Sequence, residues 1–194
     1  MRQTLKQDLW GSDIDDNPLV FETGDADGIL LPTNRGAVPM PWLATPSALV
    51  PMMMYHENGS PFLGDPRHVL EIVLQRYSDR GWTVMAATEM EFNLVDANGE
   101  QPCPPKNPLT GRALDSHAIV SLAELDAFDA FFTDLYEASA AMGIPAQTAI
   151  SEGGLGQFEI NLNHQNALRA ADDAWLFKAL VKGVARKHGF AATF

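Results

Sequence analysis

The sequence concentrates four glutamates in two segments whose spacing could place them on one surface. These residues are Glu89, Glu91, Glu152 and Glu159. In residues 88–94 polar and apolar side chains alternate strictly, so the first two glutamates share one face of a predicted strand. Residues 157–163 alternate in the same way, and Glu152 precedes them across the glycine-rich loop 153–156. If the two strands are neighbours in one sheet, up to four carboxylates share a face.

Two interpretations of this face stay open on the residues alone. It could be the solvated side of an antiparallel sheet. However, neither segment carries a Lys or Arg to balance the acids, and two carboxylates about 5 Å apart repel by about 3 kcal/mol at an effective dielectric of about 20. Such a cluster takes up protons or holds a cation. Oxygen donors suit Mg²⁺ or Mn²⁺, and no Cys/His spacing indicates zinc.

The elements that position these carboxylates can be predicted from caps and periodicity. Asp65 is a helix N-cap followed by proline, and Ser121 with Glu124 forms a capping box. The predicted helices run from Pro66 to a stop at Gly81, from Ser121 to Met142 and from Leu168 to His188, and the predicted strands cover residues 28–31, 49–55, 82–95 and 157–163. This order predicts an α+β fold.

The composition excludes several classes of partner. The chain has 13 Lys+Arg and 25 Asp+Glu, a formal net charge of −12. Without a basic cluster it repels phosphate backbones and anionic membrane surfaces, so we expect no nucleic-acid or membrane partner. The sequence has no apolar run of about 18 residues, and its start lacks the apolar core of a secretory signal. Cys103 is the only cysteine, which favours a cytoplasmic location.

Several motifs resemble those of the glutamine synthetase family. Residues 88–94, Thr-Glu-Met-Glu-Phe-Asn-Leu, resemble its Glu-x-Glu-Phe strand. Residues 151–161, Ser-Glu-Gly-Gly-Leu-Gly-Gln-Phe-Glu-Ile-Asn, resemble its Glu…Gly-Gln-x-Glu motif, with Ser151 where many relatives have a histidine. Asp-Pro-Arg at 65–67 is similar to the family's helix opening. Because the motifs keep the family's order over most of the chain, the chain is identified as a member of this family.

The resemblance implies an ATP-dependent ligase with two divalent cations, Mg²⁺ or Mn²⁺. Glu91, Glu152 and Glu159 would hold the cation at the substrate carboxylate. Glu89 would contribute to the second cation, which bridges the nucleotide phosphates. ATP, the co-substrate, would phosphorylate the γ-carboxylate of glutamate, and ammonia or an amine would displace the phosphate.

The resemblance also implies an architecture. Residues 1–64 would form an N-terminal β-grasp domain, incomplete at its start. Residues 65–194 would form the first part of a catalytic domain, an antiparallel sheet with flanking helices, truncated at its end. Further catalytic residues of the family are expected beyond Phe194, so we expect this fragment alone to be inactive. Family members form homo-oligomeric rings with active sites between subunits, and we expect the same here.

The amine substrate is indicated by residues 8–14, which are similar to a loop reading Phe-Asp-Gly-Ser-Ser-Ile in ammonia-using members. There an Asp helps to hold ammonium, and the aligned position here is Trp10. An aromatic ring packs on an alkyl chain or a cation but supplies no anion, whereas Asp13 offers a carboxylate nearby. We therefore expect an organic amine such as a polyamine, as in the γ-glutamylputrescine and γ-glutamylpolyamine synthetase branch. The alternative is a shifted alignment with Trp10 merely packed.

Two rival functions come from other classes. The chain could be a non-catalytic truncated paralogue that binds metal or partners without turnover. It could also be a hydrolase with a carboxylate pair, which needs an acid of raised pKa and a sugar-stacking aromatic patch. Four acids beside a glycine loop favour the metal-dependent ligase over the hydrolase.

Overall fold

The structure, a computed structural model, describes residues 28–98, 101–116 and 119–194. Trp10 and Asp13 therefore lie outside the described residues. The elements in chain order are β1 (Ile29–Pro32), β2 (Val38–Pro39), β3 (Ala48–Leu49), β4 (Met52–Tyr55), α1 (Pro66–Ser78), β5 (Met85–Asp96), α2 (Leu122–Ala127), α3 (Asp129–Met142), β6 (Ala146–Ser151), β7 (Gln157–Asn166), α4 (Ala167–Lys187) and β8 (Phe190–Thr193). The described residues divide into two compact units, one with residues 28–36 and 50–83 and the other with the described residues of 37–49 and 84–194.

The first unit joins a two-stranded antiparallel sheet, β1 with β4, to helix α1. The predicted cap is confirmed, since one oxygen of Asp65 accepts a hydrogen bond from the Arg67 backbone N–H at 3.0 Å. Its other oxygen accepts from the Met54 backbone N–H at 2.9 Å. One carboxylate thus caps the helix and fixes it to β4. The prediction of a β-grasp remnant over residues 1–64 stays a prediction.

The second unit contains a four-stranded antiparallel sheet in the order β6-β7-β5-β8. The apolar sides of β5 and β7, with Phe92, Leu94, Phe158 and Ile160, belong to one core with side chains of α3 and α4. Phe92 and Phe158 are opposite one another, with ring centroids 6.2 Å apart. The predicted α+β class, an antiparallel sheet with flanking helices, is confirmed for the described residues.

The structure differs from the sequence expectation in one helix and in several strands. Strand β2 was not predicted, and the predicted strand 49–55 is divided between β3 and β4. The predicted helix from Ser121 to Met142 is interrupted at Phe128, where φ is −102° and ψ is 17°. The Phe128 ring is buried against Phe158 at this interruption. Strands β6 and β8 were not predicted, because both are short edge strands without strict alternation.

The glycine loop between β6 and β7 is held close to β5. Gly156 has φ of 67°, and its carbonyl accepts a hydrogen bond from the Leu94 backbone N–H at 2.8 Å. A Cβ at this position would lie 2.7 Å from Pro105 Cδ and 2.8 Å from the Leu94 carbonyl oxygen. Glycine is therefore required here by both the backbone angle and the close approach.

Helix α3 is joined to the end of α4 by a small charge cluster. Asp134 Oδ2 lies 2.7 Å from Lys187 Nζ and 2.7 Å from His188 Nε2. Two hydrogen bonds lower the pKa of Asp134 below its ordinary value, and the bond from Lys187 has a larger effect than the bond from His188.

Every helix in the described ranges is too short or too polar to cross a membrane.

We expect Gly156→Ala to lower the free energy of unfolding by about 1–3 kcal/mol, because the new methyl group adds backbone strain and overlaps β5. Urea unfolding measures this loss. Gly153→Ala is the matched control, since a Cβ there meets no atom within 4 Å, and we expect it to change stability by less than about 0.5 kcal/mol. Equal stabilities of the two variants would contradict the close approach of the loop to β5.

We expect Asp134→Asn to lower the free energy of unfolding at pH 7 by about 0.2–1 kcal/mol, the usual range for a partly exposed ion pair. A lowered pKa in the folded state gives stability that is full above the unfolded value and is lost as pH falls through the folded value. The difference between wild type and variant should therefore decrease as pH falls below about 3.9, the ordinary pKa of an aspartate. Urea unfolding at pH 7 and at low pH tests this, with exposed Asp126→Asn as control. A constant difference across pH would refute it.

Candidate metal centre

The pairing of β5 with β7 brings the two predicted carboxylate segments together. Glu91 lies directly opposite Glu159 in the antiparallel register, and Glu89 lies opposite Asn161. Directly opposed residues place their side chains on the same face, with Cβ atoms about 4.5–5.5 Å apart. The expectation that the two strands are neighbours in one sheet is therefore confirmed.

Glu152 reaches the same region from the end of β6. Its backbone N–H donates to the Gln157 carbonyl at 2.8 Å, which continues the β6–β7 ladder beyond Ser151. On the other side of β7 from Glu91, the apolar Ile150 of β6 lies opposite Glu159. Glu159 thus stands between a carboxylate on one neighbouring strand and an aliphatic side chain on the other.

The pKa of Glu159 is raised by burial and by the charges of the neighbouring glutamates. Burial raises it above its ordinary value, and the negative charges of Glu89, Glu152 and Glu91 raise it further. Within the described residues, only a hydrogen bond from the Asn161 side chain lowers this pKa. Glu89, Glu152 and Glu91 therefore act electrostatically on Glu159, without compensation there by a cationic side chain of the described part.

The oxygen donors of this face have the chemistry that a hard divalent cation requires. Besides the carboxylates, the Asn161 Oδ1 atom is buried and accepts no hydrogen bond within the part of the chain that the structure describes. Buried polar atoms rarely lack a partner, and an amide oxygen is a suitable ligand for Mg²⁺ or Mn²⁺. In the same ranges, however, no three His, Cys, Asp or Glu side chains are close enough together to hold a metal ion. The residues thus fit the cation in donor type, and the ligand set stays a prediction.

Gln157 has contacts that the sequence did not reveal. The alternation placed it on the polar side of its strand, but no role followed from that. Its Nε2 donates to Glu91 Oε2 at 2.8 Å, and its Oε1 accepts from the Gly154 backbone N–H at 2.8 Å. The glycine-glutamine-x-glutamate pattern could have drawn attention to Gln157. Its hydrogen bond to Glu91 could not be predicted from it, because the two residues are 66 positions apart in the sequence.

Ser151, which directly precedes Glu152, connects the site to a helix. It is fully buried, and its hydroxyl accepts a hydrogen bond from the Ser121 backbone N–H. The Ser121 hydroxyl in turn accepts from the Glu124 backbone N–H at 3.2 Å, which is one of the two hydrogen bonds of a capping box. In the other bond, the Ser121 N–H donates to Ser151 instead of to the Glu124 side chain. The Val120 N–H donates to the Ser151 carbonyl at 2.8 Å, and Val120 itself has φ of 57°. The segment before α2 is thus fixed beside Glu152.

Comparisons with known proteins agree on one family. A sequence model of the glutamine synthetase catalytic domain matches residues 63–194. The chain is 35% identical to the γ-glutamylputrescine synthetase of Escherichia coli strain K12 over 198 aligned positions, covering 96% of this chain and 40% of that protein. It is 30% identical to a glutamate–isopropylamine ligase of a Pseudomonas species, covering 90% and 38%.

The similarity extends to a glutamine synthetase and to a solved structure. The glutamine synthetase of Clostridium saccharobutylicum is 30% identical, with 92% of this chain and 42% of that protein covered. A structure of GmaS without ligand superimposes with a TM-score of 0.77 at 26% identity, over 91% of this chain and 40% of that chain. The chain spans about 40% of the length of each of these three curated relatives. On the matched catalytic domain, the chain belongs to the glutamine synthetase family.

Proposed function

We propose that this chain contributes to an ATP- and divalent-metal-dependent ligase that joins the γ-carboxylate of glutamate to an organic amine through γ-glutamyl phosphate. The observation that carries the proposal is the opposed pair Glu91 and Glu159, with Glu89 and Glu152 in the same electrostatic cluster, inside the region that matches the family's catalytic domain. Ammonia is the alternative nucleophile.

In this proposal the four glutamates divide between two cations. Glu91, Glu152 and Glu159 hold one cation near the carboxylate of glutamate, and Glu89 contributes to the other near the phosphates of ATP. The bound cations would neutralise the charge that develops during phosphoryl transfer. The protein's own part is to keep the carboxylates on one rigid sheet face and to support them through the loop that follows β6.

The proposal of an organic amine is supported by two of the relatives, while others are glutamine synthetases. The two supporting relatives are named for ligation of glutamate to an amine, one to putrescine and one to isopropylamine. Trp10 and Asp13 are proposed to contact the amine, as the aromatic surface and the carboxylate respectively. We further propose the domain division at residue 64, cytoplasmic location and a homo-oligomeric ring whose active sites lie between subunits.

The decisive experiment measures ADP formation from ATP with glutamate and Mg²⁺ in the presence of ammonium, putrescine, spermidine or isopropylamine. It compares this chain with the product of the complete gene. We expect turnover in the complete product, with kcat/KM for an organic amine about 10-fold or more above that for ammonium, because apolar contacts to one or two methylenes supply that discrimination. The chain alone should release no ADP.

The controls separate the parts of this proposal. Trp10→Ala in the complete product should raise KM for the amine while leaving KM for ATP unchanged. Preference for ammonium would keep the ligase and refute the amine assignment. No turnover in either form, together with Mn²⁺-dependent stabilisation, would favour the second candidate, a non-catalytic metal-binding paralogue.

We expect Glu159→Gln to leave the midpoint of thermal unfolding in EDTA unchanged or raised, because it removes one charge from a repulsive cluster. The same variant should lose most of the upward shift that excess Mn²⁺ gives the wild type, since a ligand that binds only the folded state stabilises it. Differential scanning calorimetry measures both effects. Equal Mn²⁺ shifts in variant and wild type would exclude Glu159 as a ligand.

A further inference from the structure

We propose that Gln157 is a positioning residue that orients Glu91 and fixes the backbone beside Glu152 for cation binding. This inference rests on the proposed function and assigns a role to a side chain that is not itself among the proposed ligands. It would act through hydrogen bonds to its neighbours, so its removal should weaken cation binding while all four carboxylates remain.

Both ends of the Gln157 amide have partners of the matching type. Nε2 donates to Glu91 Oε2 at 2.8 Å, and Oε1 accepts from the Gly154 backbone N–H at 2.8 Å. The opposite amide orientation would turn its oxygen toward a carboxylate and its NH₂ group toward an N–H donor, and both contacts would be repulsive. The side chain therefore has one stable orientation, in which it fixes the direction of the Glu91 carboxylate.

The backbone of Gln157 holds the loop as well. Its carbonyl accepts from the Glu152 N–H at 2.8 Å, and its own N–H donates to the Gly154 carbonyl at 3.0 Å. Through these bonds one residue is connected to a proposed ligand on β5 and to another at the end of β6. A displacement of Gln157 would thus change the positions of two carboxylates together.

Gly154 provides the room that this arrangement needs. A Cβ on Gly154 would lie 2.6 Å from Gln157 Oε1 and 3.1 Å from its Cβ. Because the hydrogen-bonded amide lies directly over the glycine, an alanine there must push the Gln157 side chain away. The loop and the amide are therefore complementary in shape, and Gly154→Ala disturbs Gln157 without altering its chemistry.

The test is a Mn²⁺ titration of the full chain followed by electron paramagnetic resonance of the free ion. Groups that orient metal ligands typically change affinity by 10- to 100-fold when removed, so Gln157→Met should raise the Kd for Mn²⁺ by about 10-fold or more. Gly154→Ala should weaken binding in the same direction, whereas Gly153→Ala, with open space around the new methyl group, should leave it unchanged. Thermal unfolding of each variant confirms that it is folded.

Gln165→Met is the matched control on the same strand. Its Nε2 donates to Asp173 Oδ2 at 2.7 Å, so the substitution also removes a glutamine–carboxylate bond but away from the cluster. It should lower stability and leave the Kd for Mn²⁺ unchanged. In the Glu91→Gln background, Gln157→Met should reduce the remaining affinity by a smaller factor than in wild type, because only its contact with the Gly154 N–H is then lost.

The outcomes separate this inference from the proposed function. Binding of Mn²⁺ by wild type with an equal Kd in Gln157→Met would overturn the role of Gln157 and leave the metal site standing. Equal losses in Gln157→Met and Gln165→Met would also overturn it, since the effect would then follow stability alone. No binding of Mn²⁺ by the wild-type chain would overturn the metal site of this chain and the inference with it.

Discussion

The register between β5 and β7 is the constraint on which the rest of the site depends. Side chains alternate along a strand, so a shift of one residue would turn every glutamate of one strand to the core and every phenylalanine to the solvent. Phe92 opposite Phe158 prevents that shift, because both rings are buried among the side chains of the helices. The apolar face of the sheet therefore determines where the carboxylates of the polar face meet.

The supporting elements hold this register from three directions. Helices α3 and α4 cover the apolar side of the sheet, and Asp134 joins α3 to the end of α4. The Gly156 carbonyl ties the glycine loop to β5. Ser151 fixes the segment before α2 to the end of β6. The site is built on strands, and the short loop between β6 and β7 is hydrogen-bonded to β5, which suits a function that needs ligands at fixed positions.

The strands that carry the site could be predicted, but their connections could not. Strict alternation identified both glutamate segments and their polar faces, and the caps at Asp65 and Ser121 were correct. Edge strands β6 and β8 were missed because their short sequences carry no clear period. The break at Phe128 lies where its ring contacts Phe158, 30 positions away, and the hydrogen bonds of Gln157 join segments 66 positions apart. Such contacts between distant residues cannot be predicted from the local pattern of polar and apolar residues.

The separation of the paired strands along the chain has a consequence for the lifetime of the native state. Gln157 and Glu91 are 66 positions apart, so the carboxylates meet only when a long loop closes and β5 pairs with β7. Their mutual repulsion is small in the unfolded chain and largest in the completed sheet. It therefore lowers the barrier to unfolding more than it slows early folding. Screening by salt should prolong the folded state chiefly by slowing the separation of these two strands.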